Sequence, residues 1–149
     1  MKKILNKKGF TLIEVLLVIV IIAILAAIVI VAINPARQIA QSNNTQREAN
    51  VKTIIDAVHQ YAIDNRGTLP TGITATATNV GSGATDIDIC TFLVPTYVAE
   101  MPFDPTATGA GYTDCTTYNT GYTIAVDTDG RVTVAAPSAE LSATISVTR

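Results

Sequence analysis

The sequence has few of the residues that catalytic and metal sites need. It contains one histidine, His59, two cysteines and no tryptophan. A Ser-His-Asp or Cys-His system needs a histidine with placed partners, and the sequence signals none. His59 is far in sequence from Cys90 and Cys115, and no second pair of ligands is present, so a metal site is not expected. We therefore expect no cofactor and no enzymatic activity.

Charge is also scarce and unevenly placed. Only 15% of the residues are charged, with ten basic and twelve acidic side chains. Four lysines lie in the first nine residues, so the remainder has six basic against twelve acidic residues. This acidic body argues against a phosphate-binding groove, and we predict no direct nucleic-acid binding. The 48% hydrophobic content excludes a disordered chain.

The apolar content is concentrated in residues 10–33. Glu14 is the only charge in these 24 residues, and no proline occurs before Pro35. A helix of about 20 apolar residues crosses a bilayer. The basic residues 1–8 are predicted to stay cytoplasmic, with the rest of the chain beyond the membrane. This segment argues strongly against a soluble cytosolic enzyme.

Two common explanations leave part of the segment unexplained. A secretory signal peptide has an apolar core of about 7–15 residues and a small-residue cleavage site. Ala26–Ala27 is similar to such a site, but the apolar run continues past it, and no cysteine follows for lipoprotein processing. A plain membrane anchor leaves Glu14 unexplained, because a carboxylate inside a spanning helix costs about 2.5–3.5 kcal/mol.

The stretch Lys7–Glu14, with the sequence Lys-Lys-Gly-Phe-Thr-Leu-Ile-Glu, resembles the processing site of type IV prepilins and type II secretion pseudopilins. The resemblance implies cleavage by prepilin peptidase between Gly9 and Phe10, followed by N-methylation of Phe10. It also implies that Glu14 faces the Phe10 ammonium of a neighbouring subunit. Such a pair offsets part of the desolvation cost of both charges.

The resemblance also implies partners and location. The precursor would be a single-pass membrane protein with a cytoplasmic N-terminus, handled by prepilin peptidase and an inner-membrane assembly platform. The product would be a homo-oligomeric helical filament, extracellular or periplasmic. Its function would be that of a type IV pilin, for adhesion, motility or DNA uptake. The alternatives are a major pseudopilin of a type II secretion system and a plain membrane-anchored protein.

Helical spacing continues beyond the apolar run. One amphipathic face is formed by Val51, Ile54, Ile55, Val58 and Tyr61. Residues 41–50 before it are almost wholly polar, and Gly67 is a C-terminal stop signal. We predict one long helix over about 10–66, kinked near Asn34–Pro35 because proline removes a helix hydrogen bond.

The composition changes at Gly67, beyond which 19 of the 22 threonines lie. Residues 121–126 and 131–135 alternate in polarity and flank an Asp-Thr-Asp-Gly turn, which predicts a hairpin. Residues 141–147 alternate as well and predict a third strand. Residues 68–96 are interpreted as an irregular loop.

These patterns predict an α+β, type IV pilin-like fold, with a long N-terminal helix packed against a small antiparallel sheet. Four segments are expected: a leader over 1–9, a transmembrane and filament-core helix over 10–33, its amphipathic continuation over 34–66, and a Thr/Gly-rich head over 67–149.

A second element, Tyr97–Pro105, is similar to the Tyr-x-x-x-x-Pro-x-Asp-Pro element before the sheet in major pseudopilins and compact bacterial pilins. The tryptophan that often follows in pseudopilins is replaced by Thr106, which favours a pilus. The same element is explained structurally as a turn in which Asp104 binds local backbone and Pro105 blocks a helix.

Two further features concern the exported part. Cys90 and Cys115 are predicted to form a disulfide, which would stabilise the fold by roughly 3.5 kcal/mol, with two free thiols as the alternative. The acidic stretches Asp86–Asp88 and Asp127–Asp129 offer oxygens to calcium, but neither has the EF-hand pattern. Turn chemistry is the preferred explanation for Asp127–Asp129.

Overall fold

A computed structural model describes residues 9–149. The leader lysines Lys2, Lys3, Lys7 and Lys8 lie outside the described residues, and with them most of the predicted leader. The chain divides into two compact units, and the boundary lies between Gln38 and Ile39.

The first unit contains helix α1, Leu12–Ile33. Its 22 residues are long and apolar enough to cross a membrane, and none of its side chains is buried. The helix ends at Asn34, whose backbone is left-handed with φ of 46°. The backbone therefore leaves helical geometry where the sequence predicts a kink.

Helix α2, Pro35–Asp64, starts directly after Asn34. Proline suits the first position of a helix because its missing N–H would have no partner there. The helix ends two residues before the predicted boundary, and the chain then turns through Arg66 and Gly67, both with positive φ. The Gly67 N–H donates to the Ala62 carbonyl at 2.7 Å and so closes the end of the helix.

The second unit contains a five-stranded antiparallel sheet with the order β1-β3-β4-β5, and β2 also pairs with β3. The strands and one short helix are β1 Thr78–Gly81, α3 Cys90–Leu93, β2 Gly111–Asp114, β3 Thr117–Val126, β4 Val132–Ala135 and β5 Ser146–Thr148.

The predicted hairpin is the pair β3–β4, with Val126 opposite Val132. The predicted third strand begins later than expected, at Ser146 rather than Leu141. Leu141 and Ser142 have φ of 58° and 55°, far from the negative φ of extended strand backbone. Strand β1 and helix α3 both lie in the segment interpreted as an irregular loop, so that interpretation is wrong for Thr78–Gly81 and for Cys90–Leu93.

The core lies between the buried face of α2 and one face of the sheet. Fully buried members include Ile54, Ile55, Val58, Tyr122, Ile124, Val132 and Val134. Cys90 and Cys115 form a disulfide that ties α3 to the β2–β3 turn. The α+β fold class predicted from the sequence is confirmed.

Candidate processing and assembly segment

The predicted cleavage site lies just before α1. Gly9 and Phe10 are non-helical and exposed, and Phe10 is 83% exposed. Thr11 is still extended, with φ of −80° and ψ of 152°. Backbone amides outside a helix are free to pair with another chain. The Gly9–Phe10 bond therefore lies in an exposed segment outside the helix.

Thr11 and Glu14 form a capping box at the start of α1. The Glu14 N–H donates to Thr11 Oγ1 at 3.3 Å, and the Thr11 N–H donates to Glu14 Oε2 at 3.5 Å. Two donors that the helix itself leaves unpaired are thus satisfied. The carboxylate is held at the positive end of the helix dipole. The Thr-x-x-Glu pattern signals this cap in the sequence, although Glu14 was interpreted only as a contact between subunits.

The surface of α1 is apolar on every side. Between Glu14 and Asn34 it exposes only Val, Leu, Ile and Ala side chains. A surface of this kind and length needs lipid or other apolar protein around it, because soluble monomers rarely expose large apolar patches. Glu14 is therefore the only side chain of α1 that can form an ion pair.

A second charged site lies inside the second unit, around Arg47. Its side chain is fully buried on α2 and binds Asp104 in a bidentate manner, with Nε–Oδ2 at 2.7 Å and Nη2–Oδ1 at 3.1 Å. Its Nη1 donates to Glu140 Oε2 and to Asn44 Oδ1, each at 2.9 Å. The cation is thus paired on two sides, which a buried charge requires.

Asp104 connects this ion pair to the Tyr97–Pro105 element. Its Oδ1 accepts hydrogen bonds from the Thr106 and Ala107 N–H groups, each at 2.8 Å, and this local backbone binding is as predicted. Burial pushes the pKa of Asp104 up, but the hydrogen bond from Arg47 and these two N–H groups hold it below its ordinary value. The hydrogen bond to Asp104 raises the pKa of Arg47. Both groups are therefore charged in the folded protein.

The Tyr97–Pro105 element is attached to α2 at both ends. Tyr97 donates its hydroxyl hydrogen to Asp64 Oδ2 at 3.0 Å, near the end of α2. Asp104 binds Arg47, which lies on the same helix 17 residues before Asp64. These contacts give the element a structural role. Sequence reasoning missed Arg47, because it lies in a polar stretch and its partners are far away along the chain.

The other acidic candidates are occupied by local contacts. Asp127 Oδ1 accepts from the Asp129 and Arg131 N–H groups, and Asp127 Oδ2 pairs with Arg131 Nε at 2.9 Å. Asp88 Oδ1 accepts from the Tyr118 hydroxyl at 2.8 Å. Over residues 9–149 no three His, Cys, Asp or Glu side chains cluster as metal ligands do. His59 lies half-buried on α2.

The comparisons with known proteins support the interpretation of the N-terminal segment as a methylation motif. The family model for the prokaryotic N-terminal methylation motif matches residues 4–30, which include Gly9, Phe10 and Glu14. No curated protein and no solved structure matches the chain. Residues 4–30 therefore carry a prokaryotic N-terminal methylation motif, on an apolar helix that is followed by a small antiparallel sheet, and this combination supports a precursor of the prepilin and pseudopilin kind.

Proposed function

We propose that this chain is a pilin, the structural subunit of a type IV pilus-like filament. One observation carries the proposal: α1 presents 22 residues with no buried side chain, and its single charge lies at its start. A membrane covers such a helix in the precursor. A filament covers it equally well, because many copies pack their helices together and exclude water.

Prepilin peptidase would cut between Gly9 and Phe10 and remove the leader over 1–9. The product starts at Phe10, which is then N-methylated. The exposure of both residues, their position outside the helix and the extended backbone of Thr11 support this assignment. Residues 10–33 then form the filament core, 34–66 continue the helix, and 67–149 form the head at the filament surface.

Glu14 would pair with the Phe10 ammonium of a neighbouring subunit during assembly. Among the described residues, hydrogen bonds reach only Oε2 of Glu14, so Oε1 is available to that ammonium. The capping box fixes the carboxylate at the end of the helix where the neighbour's ammonium would arrive. The pairing compensates two charges in an apolar core, where each alone is costly.

The precursor would span the inner membrane once, with its N-terminus in the cytoplasm, and would meet the peptidase and the assembly platform there. The finished filament would be extracellular or periplasmic and serve adhesion, motility or DNA uptake. A structural subunit of this kind has no catalytic role and needs no cofactor.

A second candidate function, major pseudopilin of a type II secretion system, is favoured by the Tyr97–Pro105 element. Thr106 stands where pseudopilins often have tryptophan, and here its hydroxyl accepts a hydrogen bond from Arg47 Nη2. The residue therefore completes the buried charge network of this chain. Genes beside this one would separate the candidates, since a retraction ATPase indicates a pilus and a secretion channel indicates a pseudopilin.

Isolation of surface filaments from the native cell, with imaging and mass spectrometry of the subunit, tests the proposal. We expect filaments whose subunit begins with methylated Phe10. A mature N-terminus near Ala27 would indicate an ordinary signal peptidase and contradict the proposal. Subunits that stay in the membrane, without any filament, would contradict it as well.

A further inference from the structure

An open groove of about 660 Å³ lies within the second unit, at the end of the sheet where β1, β2 and β3 meet. Asn119 of β3 lines it and pairs with Gly81 of β1 on one side and with Gly111 of β2 on the other. Paired residues of neighbouring strands share one face of a sheet, so neither neighbour covers Asn119 with a side chain of its own. A Cβ added at Gly111 would meet no heavy atom within 4 Å. Glycine at this position therefore leaves the groove open.

Asn119 offers a hydrogen-bond donor in this groove. Its Oδ1 accepts from the Gly121 N–H at 2.9 Å and from Asn79 Nδ2 at 3.0 Å. The backbone donor establishes which end of the amide is the oxygen, so Nδ2 faces away from Gly121. A Cβ at Gly109, which lines the groove just before β2, would lie 3.9 Å from Nδ2. Among residues 9–149 this Nδ2 has no hydrogen-bond acceptor, so its N–H groups are available to a ligand.

Asp86 offers an acceptor on the β1 side of the groove. Its Oδ2 lies 2.6 Å from the place that a Cβ of Gly81 or of Gly83 would take, so the carboxylate fills space that these glycines leave. Its loop is tied to β3, because the Ser82 N–H donates to the Tyr118 carbonyl at 3.0 Å and the Tyr118 N–H donates to Ser82 Oγ at 3.1 Å. Over the described residues, the Asp86 carboxylate accepts no hydrogen bond and forms no ion pair, so both oxygens are free for a ligand.

Phe103 supplies an apolar surface in the same groove. It is 40% exposed, and its backbone is held on both sides. The Phe103 carbonyl accepts from Asn50 Nδ2 at 3.0 Å, and the N–H of the next residue, Asp104, donates to the Thr120 carbonyl at 2.8 Å. Aromatic side chains beside a few placed polar groups are typical of sites for small molecules.

These groups select a class of ligand. The groove is lined by a carboxylate and by no Lys, Arg or His of the described chain, which disfavours an anion. An ammonium group would pair with Asp86 but would leave the Asn119 donor without an acceptor. A peptide strand finds no free edge here, because β3 is paired on both sides. A hydroxyl both donates and accepts, so a ring with several hydroxyls satisfies both side chains.

We propose that this groove binds a neutral saccharide. Asp86 accepts a hydrogen bond from one hydroxyl, Asn119 Nδ2 donates to another, and Phe103 packs on the C–H face of the sugar ring. The volume lies within the range of about 300–1,000 Å³ that small-molecule sites have. The site belongs to the second unit alone, so the inference goes beyond the proposed filament and does not depend on it.

The test uses the full chain, in a detergent without a sugar headgroup, on an array of immobilised neutral and sialylated oligosaccharides. Gly111→Val fills the groove while the fold is kept, because the space around Gly111 is open and valine favours a strand. Ala135→Val is the matched control, since it adds apolar bulk to a half-exposed position of β4 outside the groove. Asp86→Ala removes the acceptor without breaking a hydrogen bond within the described chain.

We expect the wild type to bind neutral oligosaccharides and to gain nothing from sialic acid. Binding should fall at least tenfold for Gly111→Val and about tenfold for Asp86→Ala, as for loss of a hydrogen bond to a charged group. Ala135→Val should bind like the wild type. Equal melting temperatures of all four proteins confirm that the fold is kept, and Asp86→Ala alone decides if Gly111→Val fails to fold.

Absence of wild-type binding to every neutral oligosaccharide would overturn the proposal. Binding that needs sialic acid, or binding that survives both Gly111→Val and Asp86→Ala, would overturn it as well. The proposed function is tested separately, because filament yield from the native cell does not depend on this groove.

Discussion

Helices α1 and α2 differ in where their charged side chains lie and in what compensates them. Helix α1 has no buried side chain and keeps its single charge, Glu14, at its exposed start. Helix α2 buries Arg47 completely and surrounds it with Asp104, Asn44 and Glu140 from its own chain. The head therefore contains all the partners that its buried cation needs. Among residues 9–149, Glu14 forms no ion pair, so in the proposed filament α1 would depend on its surroundings, lipid first and neighbouring subunits afterwards.

The largest loss of stability is expected at Arg47, whose charge is compensated by side chains of the same chain. Arg47→Met removes the cation and leaves the Asp104 carboxylate buried without an opposite charge, which should destabilise the second unit by about 3–5 kcal/mol. Thermal unfolding of the full chain in detergent measures this loss. The double variant Arg47→Met/Asp104→Leu should recover much of the stability, because no fully buried charge remains and the Glu140 side chain is partly exposed to water. Equal stability of Arg47→Met and wild type would contradict the structural role of the ion pair.

Glu14→Ala tests the opposite case, in which the proposed partner belongs to another subunit. Membrane insertion should be unchanged or slightly improved, and cleavage at Gly9 should persist, because the scissile bond lies upstream. Assembly should lose about 3–5 kcal/mol, since the neighbour's ammonium is buried without a partner. The measurement is the ratio of sheared filament to membrane-held subunit, compared between the wild type and Glu14→Ala.

Glu14→Gln sharpens this experiment. Glutamine also forms capping boxes, so this variant keeps the helix start and removes only the charge. It should assemble as poorly as Glu14→Ala. Normal filament yield from Glu14→Gln would show that the capping box, rather than the ion pair, is what assembly requires.

Acid should weaken the head through the Arg47 network. The pKa of Asp104 is held below its ordinary value by Arg47 and local N–H groups, and that of Glu140 by hydrogen bonds from Arg47 and Asn43. Carboxylates with lowered pKa contribute stability above their unfolded pKa values, about 3.9 and 4.3, and lose it as pH falls through the folded values. The melting temperature should therefore fall below about pH 4, and this decline should be much weaker in Arg47→Met/Asp104→Leu.

The sequence predicts what depends on local pattern. The apolar run, the helical spacing around Ile54 and the Asp-Gly hairpin turn all appear in the fold, because periodicity and turn residues act over short distances. Strand β1 was missed, since a short Thr- and Gly-containing segment becomes a strand only through its partner β3. Leu141 was placed in a strand because the alternation around it gave no sign that Glu140 is bound to Asn44.

Arg47 shows the same limit of sequence-based prediction in the buried ion-pair network. A polar residue in a polar stretch predicts solvent exposure, and its burial depends on Asp104 and Glu140, 57 and 93 residues away. The capping box was within reach of the sequence, because Thr11 and Glu14 are three residues apart in the pattern that defines it.

The smallest effect is expected from Thr11, whose hydroxyl connects the cap of α1 with assembly. Thr11→Val has nearly the same shape but lacks the oxygen that accepts from the Glu14 N–H. Loss of such a cap costs about 1 kcal/mol, or a factor of about five in an equilibrium constant. The start of α1 should then fray, and the Glu14 carboxylate should be less well placed for a neighbour's ammonium. Filament yield should fall about fivefold for Thr11→Val and stay normal for Thr11→Ser, which keeps the hydroxyl. Equal yields from these two variants would show that the Glu14 carboxylate finds its partner without help from the cap, and α1 would then depend entirely on its neighbours.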